Sequence, residues 1–179
     1  MERAPPLNRI TDLGAERYQE CLDVEHEAFG SVVSDFGITA ANTPDNPAFW
    51  SLDDLAAVVA KGFGLFGAVD PAGRVLGCAF AGASRRRPSV WELRHLAVHP
   101  AAGGAGLGEA LVAEAGRRAR AAGAELLRIG IVAENRRLAA WYRKLGFVAT
   151  DVWQQYPGLP FHVDHLELAL SSLPPASES

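Results

Sequence analysis

The sequence lacks several features that would place the protein in a familiar class. Its 179 residues include only two cysteines, and no apolar run approaches the roughly 18 residues that a membrane span requires. Cys21 and Cys78 have neither metal-ligand spacing nor a disulfide framework, so we expect buried thiols in a reducing cytoplasm. The first residues also lack the apolar segment of a signal peptide. We therefore expect a cytoplasmic protein.

The chain also lacks the positive charge of a nucleic-acid-binding surface, since its formal net charge is −4. The arginines at 85–87 form a short basic run, which we interpret as a solvated loop between two strands. A nucleophile elbow, G-x-S-x-G, is absent. His162 and His165 lie three apart in a predicted strand and would point to opposite faces. We expect no nucleic-acid partner, no membrane partner and no metal.

The apolar content is sufficient for one folded domain. Of the 179 residues, 49% are hydrophobic and 21% are charged, as in an ordinary globular protein. No internal repeat or linker divides the chain. We expect a single domain over residues 1–173 and a disordered tail over residues 174–179.

Apolar periodicity and turn residues predict an alternation of helices and strands. The predicted helices are Gly14–Phe29 (ended by Gly30), Ser51–Lys61 (with a Ser51–Asp54 capping box), Leu107–Ala122 and Asn135–Leu145. The predicted strands are Leu7–Thr11, Phe63–Val69, Arg74–Ala83, Ser89–Val98, Glu125–Val132, Phe147–Tyr156 and Phe161–Leu170. The sequence of residues 31–50 predicts an irregular loop. Its apolar side chains either form one wall of a pocket or only anchor the loop to the core.

The connections between these elements predict an α/β fold. Residues 63–98 would form an antiparallel meander, and the last two strands an antiparallel pair. Residues 125–132 would lie parallel to residues 89–98, because a helix crosses between them. We expect a mixed, mostly antiparallel sheet with helices on both faces.

The most distinctive stretch is residues 96–109, Leu-Ala-Val-His-Pro-Ala-Ala-Gly-Gly-Ala-Gly-Leu-Gly-Glu, between a predicted strand and a predicted helix. Glycines allow a ligand to approach the backbone, and the first turn of a helix offers N–H groups and partial positive charge. We expect a phosphate or pyrophosphate over Gly104–Glu109. The alternative is a Gly-rich turn that only packs the helix closely on the sheet.

Two common phosphate-binding patterns do not fit this stretch. No lysine follows the glycines, as G-x-x-x-x-G-K-[ST] requires. In G-x-G-x-x-G/A the last small residue would be Glu109 or Leu111. The remaining pattern, H-P-x-x-G-G-x-G-x-G, resembles the acetyl-CoA loop R/Q-x-x-G-x-G/A of the GNAT superfamily of N-acetyltransferases. In that superfamily the loop follows a strand ending in L-x-V-x-P, as it does here, although Gly103 stands at the Arg/Gln position.

A second motif resembles the same family. Residues 135–147 follow the pattern N-x-x-A-x-x-x-Y-x-k-x-G-F and match it at Asn135, Tyr142, Gly146 and Phe147. Leu138 replaces the usual small residue. The resemblance is most specific over Trp91–Phe147, and it implies a single GNAT-type domain with acetyl-CoA at a junction where two parallel strands splay apart.

The resemblance also implies the residues that contact acetyl-CoA. The N–H of Leu96 would face the thioester oxygen, and the backbone at Ala97 and Val98 would run beside the pantetheine arm. The other expected contacts are Gly103, Gly104, Ala105, Gly106, Leu107, Gly108, Glu109, Asn135 and Tyr142.

The chemistry of amine acetylation adds catalytic candidates. A protonated amine is no nucleophile, so a base must remove a proton, and the departing thiolate benefits from a nearby O–H. The resemblance implies Glu92 as base and Tyr142 as acid, with Leu96 supplying the backbone donor. Glu92 could instead pair with Arg94, and Tyr142 could only pack. The rival bases are His95 and His99.

Together these expectations describe an acetyl-CoA-dependent N-acetyltransferase that moves an acetyl group directly to a primary amine. The alternative is an acyl-CoA-binding sensor or scaffold of the same fold with little turnover. A nucleotide-binding enzyme that uses the Gly loop differently is a further rival. The resemblance allows a homodimer, whereas the sequence does not identify the amine acceptor.

Overall fold

The structure is a computed structural model that describes residues 8–155 and 157–173. These residues form seven strands, β1 (Arg9–Asp12), β2 (Gly64–Val69), β3 (Val75–Ala83), β4 (Val90–Val98), β5 (Leu126–Val132), β6 (Val148–Gln154) and β7 (Val163–Ala169). They also form four α-helices, α1 (Tyr18–Asp35), α2 (Leu52–Ala60), α3 (Leu107–Ala121) and α4 (Arg136–Lys144). The predicted tail, residues 174–179, lies outside the described residues.

The strands form one mixed sheet in the order β1-β2-β3-β4-β5-β7-β6. Strands β1 to β4 are antiparallel neighbours, β5 pairs with β7 and β7 with β6 in the same sense, and β4 and β5 are parallel. The crossover through α3 explains the parallel pair, as predicted from the sequence. The expected α/β fold with a mostly antiparallel sheet is therefore confirmed. The insertion of β7 between β5 and β6 was not predicted.

Helix α1 is longer than the sequence pattern indicated. Its predicted end at Gly30 is wrong, because the helix continues to Asp35. Apart from the adjacent backbone of α1 itself, no described atom lies within 4 Å of the position a Cβ would take at Gly30, so this glycine packs against no other element. The chain leaves the helical path at Gly37, whose φ of +63° is the left-handed conformation that glycine adopts readily.

Other local predictions are confirmed. The carboxylate of Asp54 accepts the N–H of Ser51 at 2.8 Å, and the Ser51 hydroxyl accepts the N–H of Asp54, which completes the capping box of α2. Glu114 and Arg118 form the expected ion pair one turn apart on α3, at 2.7 Å. The predicted hairpin, meander and final antiparallel pair are all present.

Two apolar cores lie on opposite faces of the sheet. On one face α3 and α4 pack against alternate residues of the strands, including Leu93, Leu127 and Leu166. On the other face α1 and α2 pack against the intervening residues, including Phe80, and both cysteines are buried there as free thiols. The contacts of α1 with the sheet fall mainly on β3 and β4. Within the described part of the chain, no helix is both long and apolar enough to cross a membrane.

The loop before α2 is pinned to the second core. Its Trp50 is 6% exposed, and the indole N–H donates to the carbonyl of Asp45 at 2.9 Å. The Trp50 ring contacts Phe80 edge-on and lies 4.4 Å from the ring of His95 on β4. This loop therefore borders the middle of β4, where the site described next begins.

Candidate active site

The paired strands β4 and β5 separate over half of their length. Their parallel register covers Val90 to Glu92 on β4 and Leu126 to Arg128 on β5, although β4 continues to Val98 and β5 to Val132. Beyond Glu92 the β5-facing edge of β4 therefore has no ladder partner on β5. A gap of this shape exposes backbone N–H and C=O groups to a ligand. It corresponds to the splayed parallel junction expected from the sequence.

A bulge in β4 lies at this gap. Arg94 pairs with Phe80 and Ala97 with Cys78, so His95 and Leu96 together lie opposite the single residue between those partners. His95 has a φ of +48°, the only positive value among the described non-glycine residues. A bulge re-aims the strand beyond it. Here the segment beyond the bulge is Leu96–Val98, which leads into the Gly loop.

The Gly loop follows β4 directly. Gly104 and Gly106 have φ values of +79° and +73°, which side-chain-bearing residues rarely adopt. The first α-helical bond of α3 runs from the N–H of Ala110 to the carbonyl of Gly106, at 3.0 Å. Within the described residues, no acceptor receives the backbone N–H groups from Gly104 to Glu109. Six consecutive donors at a helix N-terminus fit a phosphate or diphosphate group.

A surface pocket of about 290 Å³ lies over this loop. Its lining residues are Val98, Ala102, Gly103, Gly104, Gly106, Leu107, Gly108, Glu109 and Trp141. Seven of the residues predicted to bind acetyl-CoA are thus brought together. Leu96, Ala97, Ala105, Asn135 and Tyr142 do not line this pocket.

Trp141 forms the α4 side of the pocket and was missed by the sequence prediction. Its indole N–H donates to Oε1 of Glu109 at 3.0 Å. A Cβ at Gly108 would lie 3.1 Å from the Trp141 ring, so the glycine allows the two helices to approach closely. The signal was available, because Trp141 precedes Tyr142 inside the second motif.

Gly103 leaves one side of the pocket without a side chain. Its φ of −62° and ψ of 151° are accessible to any residue. A Cβ there would lie 3.3 Å from the carbonyl oxygen of Pro100, a contact that a small backbone shift relieves. No conformational requirement for glycine therefore exists at this position, unlike at Gly104 and Gly106.

Tyr142 lies beside this pocket in the core beneath α4. Its residue is 6% exposed, and its ring packs edge-on against Trp141 and Phe147 with centroid separations of 4.7 and 5.3 Å. Burial raises the pKa of the Tyr142 phenol, so the hydroxyl stays protonated at neutral pH. No described residue hydrogen-bonds this hydroxyl, whose proton is therefore available to a ligand.

Asn135 has a local structural role. Its side-chain oxygen accepts the N–H of Leu138 at 3.1 Å and so caps α4. The cap begins the helix that carries Trp141 and Tyr142, and it leaves the side-chain N–H₂ group of Asn135 for other partners.

Glu92 lies on the face of β4 opposite the Gly loop, since its neighbour Leu93 belongs to the α3 core. Its Oε2 accepts both Nε and an Nη of Arg94, the former at 2.9 Å. The pairing considered as an alternative in the sequence is thus present. Both bonds use one oxygen, and within the described residues Oε1 accepts none.

The two rival histidines have distinct environments. Burial, with a smaller effect of Arg94, lowers the pKa of His95 to about 3, so its ring is neutral at physiological pH. That ring is held between Trp50 and Phe80. The Nδ1 of His99 accepts the N–H of Ala101 at 3.2 Å, and His99 thereby caps the short turn that leads into the Gly loop.

Comparison with known proteins identifies the family. Residues 60–149, half of the chain, match the family model described as acetyltransferase (GNAT) domain. This protein belongs to the GNAT acetyltransferase family. No curated protein sequence matches the chain significantly. The GNAT match spans β4, the Gly loop, α3 and α4, which together form the site described above.

Solved structures share the fold over almost the whole chain. The ribosomal-protein alanine N-acetyltransferase of Escherichia coli has 18% identity and a TM-score of 0.71, with 97% of this chain and 100% of that chain covered. The PaiA N-acetyltransferase of Thermoplasma acidophilum, in complex with coenzyme A, has 16% identity and a TM-score of 0.73, with 90% and 98% covered. The YncA protein of Salmonella typhimurium, solved with its cofactor acetyl-CoA, has 21% identity and a TM-score of 0.68, with 94% and 98% covered. At these identities the likeness shows the GNAT fold.

Proposed function

We propose that this GNAT protein transfers the acetyl group of acetyl-CoA directly to a primary amine. The observation that carries the proposal is the junction of two open features, the unpaired edge of β4 beyond Glu92 and the free N–H groups of Gly104–Glu109. Two of the fold relatives were solved with acetyl-CoA or coenzyme A, which supports the same ligand here.

The residues present fit this ligand. The N–H groups from Gly104 to Glu109 would hold the diphosphate, and they need no side chain to do so. The edge of β4 at Leu96–Val98 would pair with the amide groups of the pantetheine arm. The ligand supplies an activated acyl carbon and a thiolate leaving group.

The chain would supply acid–base groups from the two faces of the sheet. Tyr142, on the α3 and α4 face, would donate its phenolic proton to the departing thiolate. Glu92, on the opposite face, would attract the ammonium group of the acceptor with Oε1 and receive its first proton. The Leu96 N–H would stabilise the carbonyl oxygen as negative charge develops on it.

The diphosphate site lacks one source of affinity. Gly103 offers no cation, and Glu109 places a carboxylate at the edge of the pocket. These features favour weak binding of acetyl-CoA. A domain that binds coenzyme A with little turnover is therefore the competing hypothesis.

Two measurements test the proposed function. In a thermal-shift assay, coenzyme A should raise the melting temperature, whereas ATP and NAD should not.

Thiol release from acetyl-CoA is then followed with four amines: an alanine-terminated peptide, a lysine-containing N-acetylated peptide, spermidine and phenylethylamine. The alanine peptide is included because one fold relative acts on a ribosomal-protein alanine. Stabilisation by coenzyme A without amine-dependent release would support the binding-domain hypothesis. Failure of coenzyme A to stabilise the protein would contradict both.

A further inference from the structure

A row of charged and polar side chains occupies the sheet face opposite the Gly loop. Glu92 on β4 is in register with Arg128 on β5, and Arg128 with Glu167 on β7. The next position along this face pairs Gly130 with His165. Because alternate residues of a strand share a face, all of these residues lie away from the α3 core, which takes Leu127, Ile129, Leu166 and Leu168.

The position of His165 coincides with the opening of the gap. The β4–β5 pairing ends at Glu92 and Arg128, so Gly130 is the first residue of β5 on this face that has no partner on β4. A Cβ at Gly130 would lie 3.6 Å from Cε1 and 3.7 Å from Nδ1 of His165. The imidazole therefore covers the glycine and borders the gap from the β7 side, whereas Glu92 borders it from the β4 side.

The hydrogen bonding of His165 is incomplete. Its Nδ1 is buried and has no partner among the described residues. Its backbone carbonyl accepts the hydroxyl of Thr150 at 3.0 Å, which fixes the residue on the sheet. Nε2 is not among the buried side-chain atoms without a partner, so it is the ring nitrogen that we assign to contact with a ligand. A buried, unpartnered polar atom is uncommon in proteins and often marks a functional group.

The protonation state of His165 suits a proton acceptor. Burial lowers the pKa of His165, and Arg128 lowers it further, against the opposing effects of Glu92, Asp164 and Glu167. The imidazole is therefore neutral at physiological pH. Of these groups, Glu92 on β4, Arg128 on β5 and Glu167 on β7 share the sheet face of His165, whereas Asp164 is its chain neighbour and points to the other face.

We propose that His165 is a second proton acceptor for the acetylation reaction and lies at the acceptor end of the β4–β5 gap. This inference rests on the proposed function and adds a residue to it. Two protons leave an ammonium group when it becomes an amide, so one carboxylate is insufficient unless it is reset between steps. Glu92 and His165 border the gap from opposite sides, and each would take one proton.

With Glu92, His165 and Tyr142, every bond and proton in the acetyl transfer is accounted for. Loss of the first proton to Glu92 leaves a neutral amine, whose lone pair forms the C–N bond at the thioester carbon. The C–S bond breaks and the sulfur takes the proton of Tyr142. The nitrogen, positively charged as the new bond forms, gives its second proton to Nε2 of His165. Glu92 and His165 then release their protons to solvent, Tyr142 regains one from solvent, and the products are the amide and coenzyme A.

An experiment that needs no amine acceptor tests whether His165 lies beside the acetyl end of bound acetyl-CoA. The ring Cε1–H signal of His165 is assigned by NMR in the full-length protein from its absence in His165→Gln. Acetyl-CoA should shift this signal, whereas ADP should not, even at concentrations high enough to shift the signals of Gly104 and Gly106. The location is overturned if the signal is unchanged at saturating acetyl-CoA while signals of Gly104 and Gly106 move. If neither set of signals moves, acetyl-CoA does not bind and the proposed function itself fails.

A kinetic experiment tests whether His165 accepts a proton during acetyl transfer. With the panel amine that reacts fastest, kcat of His165→Gln and His165→Ala should fall on the order of 10²-fold, while the dissociation constant of acetyl-CoA should stay within twofold. Added imidazole should restore part of the activity of His165→Ala. His162→Ala is the matched control, because His162 is engaged by the carboxylate of Glu134 and precedes β7, and its kcat should be unchanged. Wild-type kcat in both His165 variants would overturn the role, as would a loss of activity explained by weaker acetyl-CoA binding.

Discussion

The indole N–H of Trp141 donates a hydrogen bond of 3.0 Å to the carboxylate of Glu109. This bond joins α4 to the first turn of α3, and therefore links the two sequence motifs that were recognised separately. It also fixes a negative charge beside the N–H groups that are proposed to hold a diphosphate. Attraction by the helix N-terminus and repulsion by this carboxylate act on the same ligand.

Replacement of Glu109 by Gln separates these two effects. Glutamine keeps an oxygen that accepts the Trp141 N–H and removes the charge. We expect coenzyme A to bind about two- to fivefold more tightly at low salt, an effect of roughly 0.4–1 kcal/mol for an exposed charge. Isothermal calorimetry measures the affinity, and the gain should shrink as salt is added. Glu125→Gln, at the opposite end of the sheet, is the control and should leave the affinity unchanged. Equal affinities for Glu109→Gln and the wild type would show that the carboxylate does not face the ligand.

A positive charge can be added to the pocket at Gly103, in contrast to the removal of a negative charge at Glu109. Its backbone conformation accepts any residue, and only the carbonyl of Pro100 is close to a new Cβ. Gly103→Arg should bind coenzyme A several-fold more tightly, since a guanidinium near a diphosphate contributes about 1 kcal/mol at an exposed site. The matched control is Gly103→Met, which adds similar bulk without charge and should not tighten binding. A gain in both variants would indicate packing, and weaker binding of the Arg variant at low salt would contradict a diphosphate at this position.

The sequence was most informative where a pattern fixes the backbone itself. The capping box at Ser51 and the crossover helix between β4 and β5 were each predicted from local residue types. Their outcomes follow from short-range sterics and hydrogen bonding, which single sequences record well. The end of α1 was predicted wrongly because Gly30 is also tolerated in an exposed helical position, where a sequence gives no contact to decide between the two.

Features that depend on strand register were not predictable in this way. The position of β7 between β5 and β6 brings His165 beside Gly130, although the two residues are 35 positions apart in the chain. The spacing of His162 and His165 argued only against a metal pair. Likewise, the two motifs did not show that Trp141 would reach Glu109. These relationships arise from tertiary packing, and each lies at the candidate site.

The role of Tyr142 is tested by Tyr142→Phe, which keeps the ring that packs on Trp141 and Phe147 and removes the hydroxyl. We expect kcat to fall on the order of 10²-fold with little change in coenzyme A affinity. Because the pKa of Tyr142 is raised, its deprotonation should produce no loss of activity below pH 10 in the wild type. Steady-state kinetics by thiol release provide both values. Phe147→Leu is a packing control that should lower stability more than kcat. Unchanged kcat in Tyr142→Phe would restrict Tyr142 to packing.

Glu25 provides a prediction about stability rather than catalysis. Its carboxyl is fully buried on α1, where Oε1 accepts the thiol of Cys78 at 3.6 Å and Oε2 has no described partner. Burial raises the pKa of Glu25 well above its ordinary value of 4.5, so the folded protein binds this proton more strongly than the unfolded chain. The free energy of unfolding should therefore decrease as pH rises above about 4.5, by at most on the order of 1 kcal/mol per pH unit, until the folded-state pKa is reached.

Glu25→Gln should remove this contribution, so that urea unfolding between pH 5 and pH 8 shows a smaller decline in the free energy of unfolding than in the wild type. Glu27→Gln, an exposed change on the same helix, should retain the wild-type decline. Parallel pH profiles for Glu25→Gln and the wild type would show that the buried carboxyl is already ionised in the folded protein at pH 5.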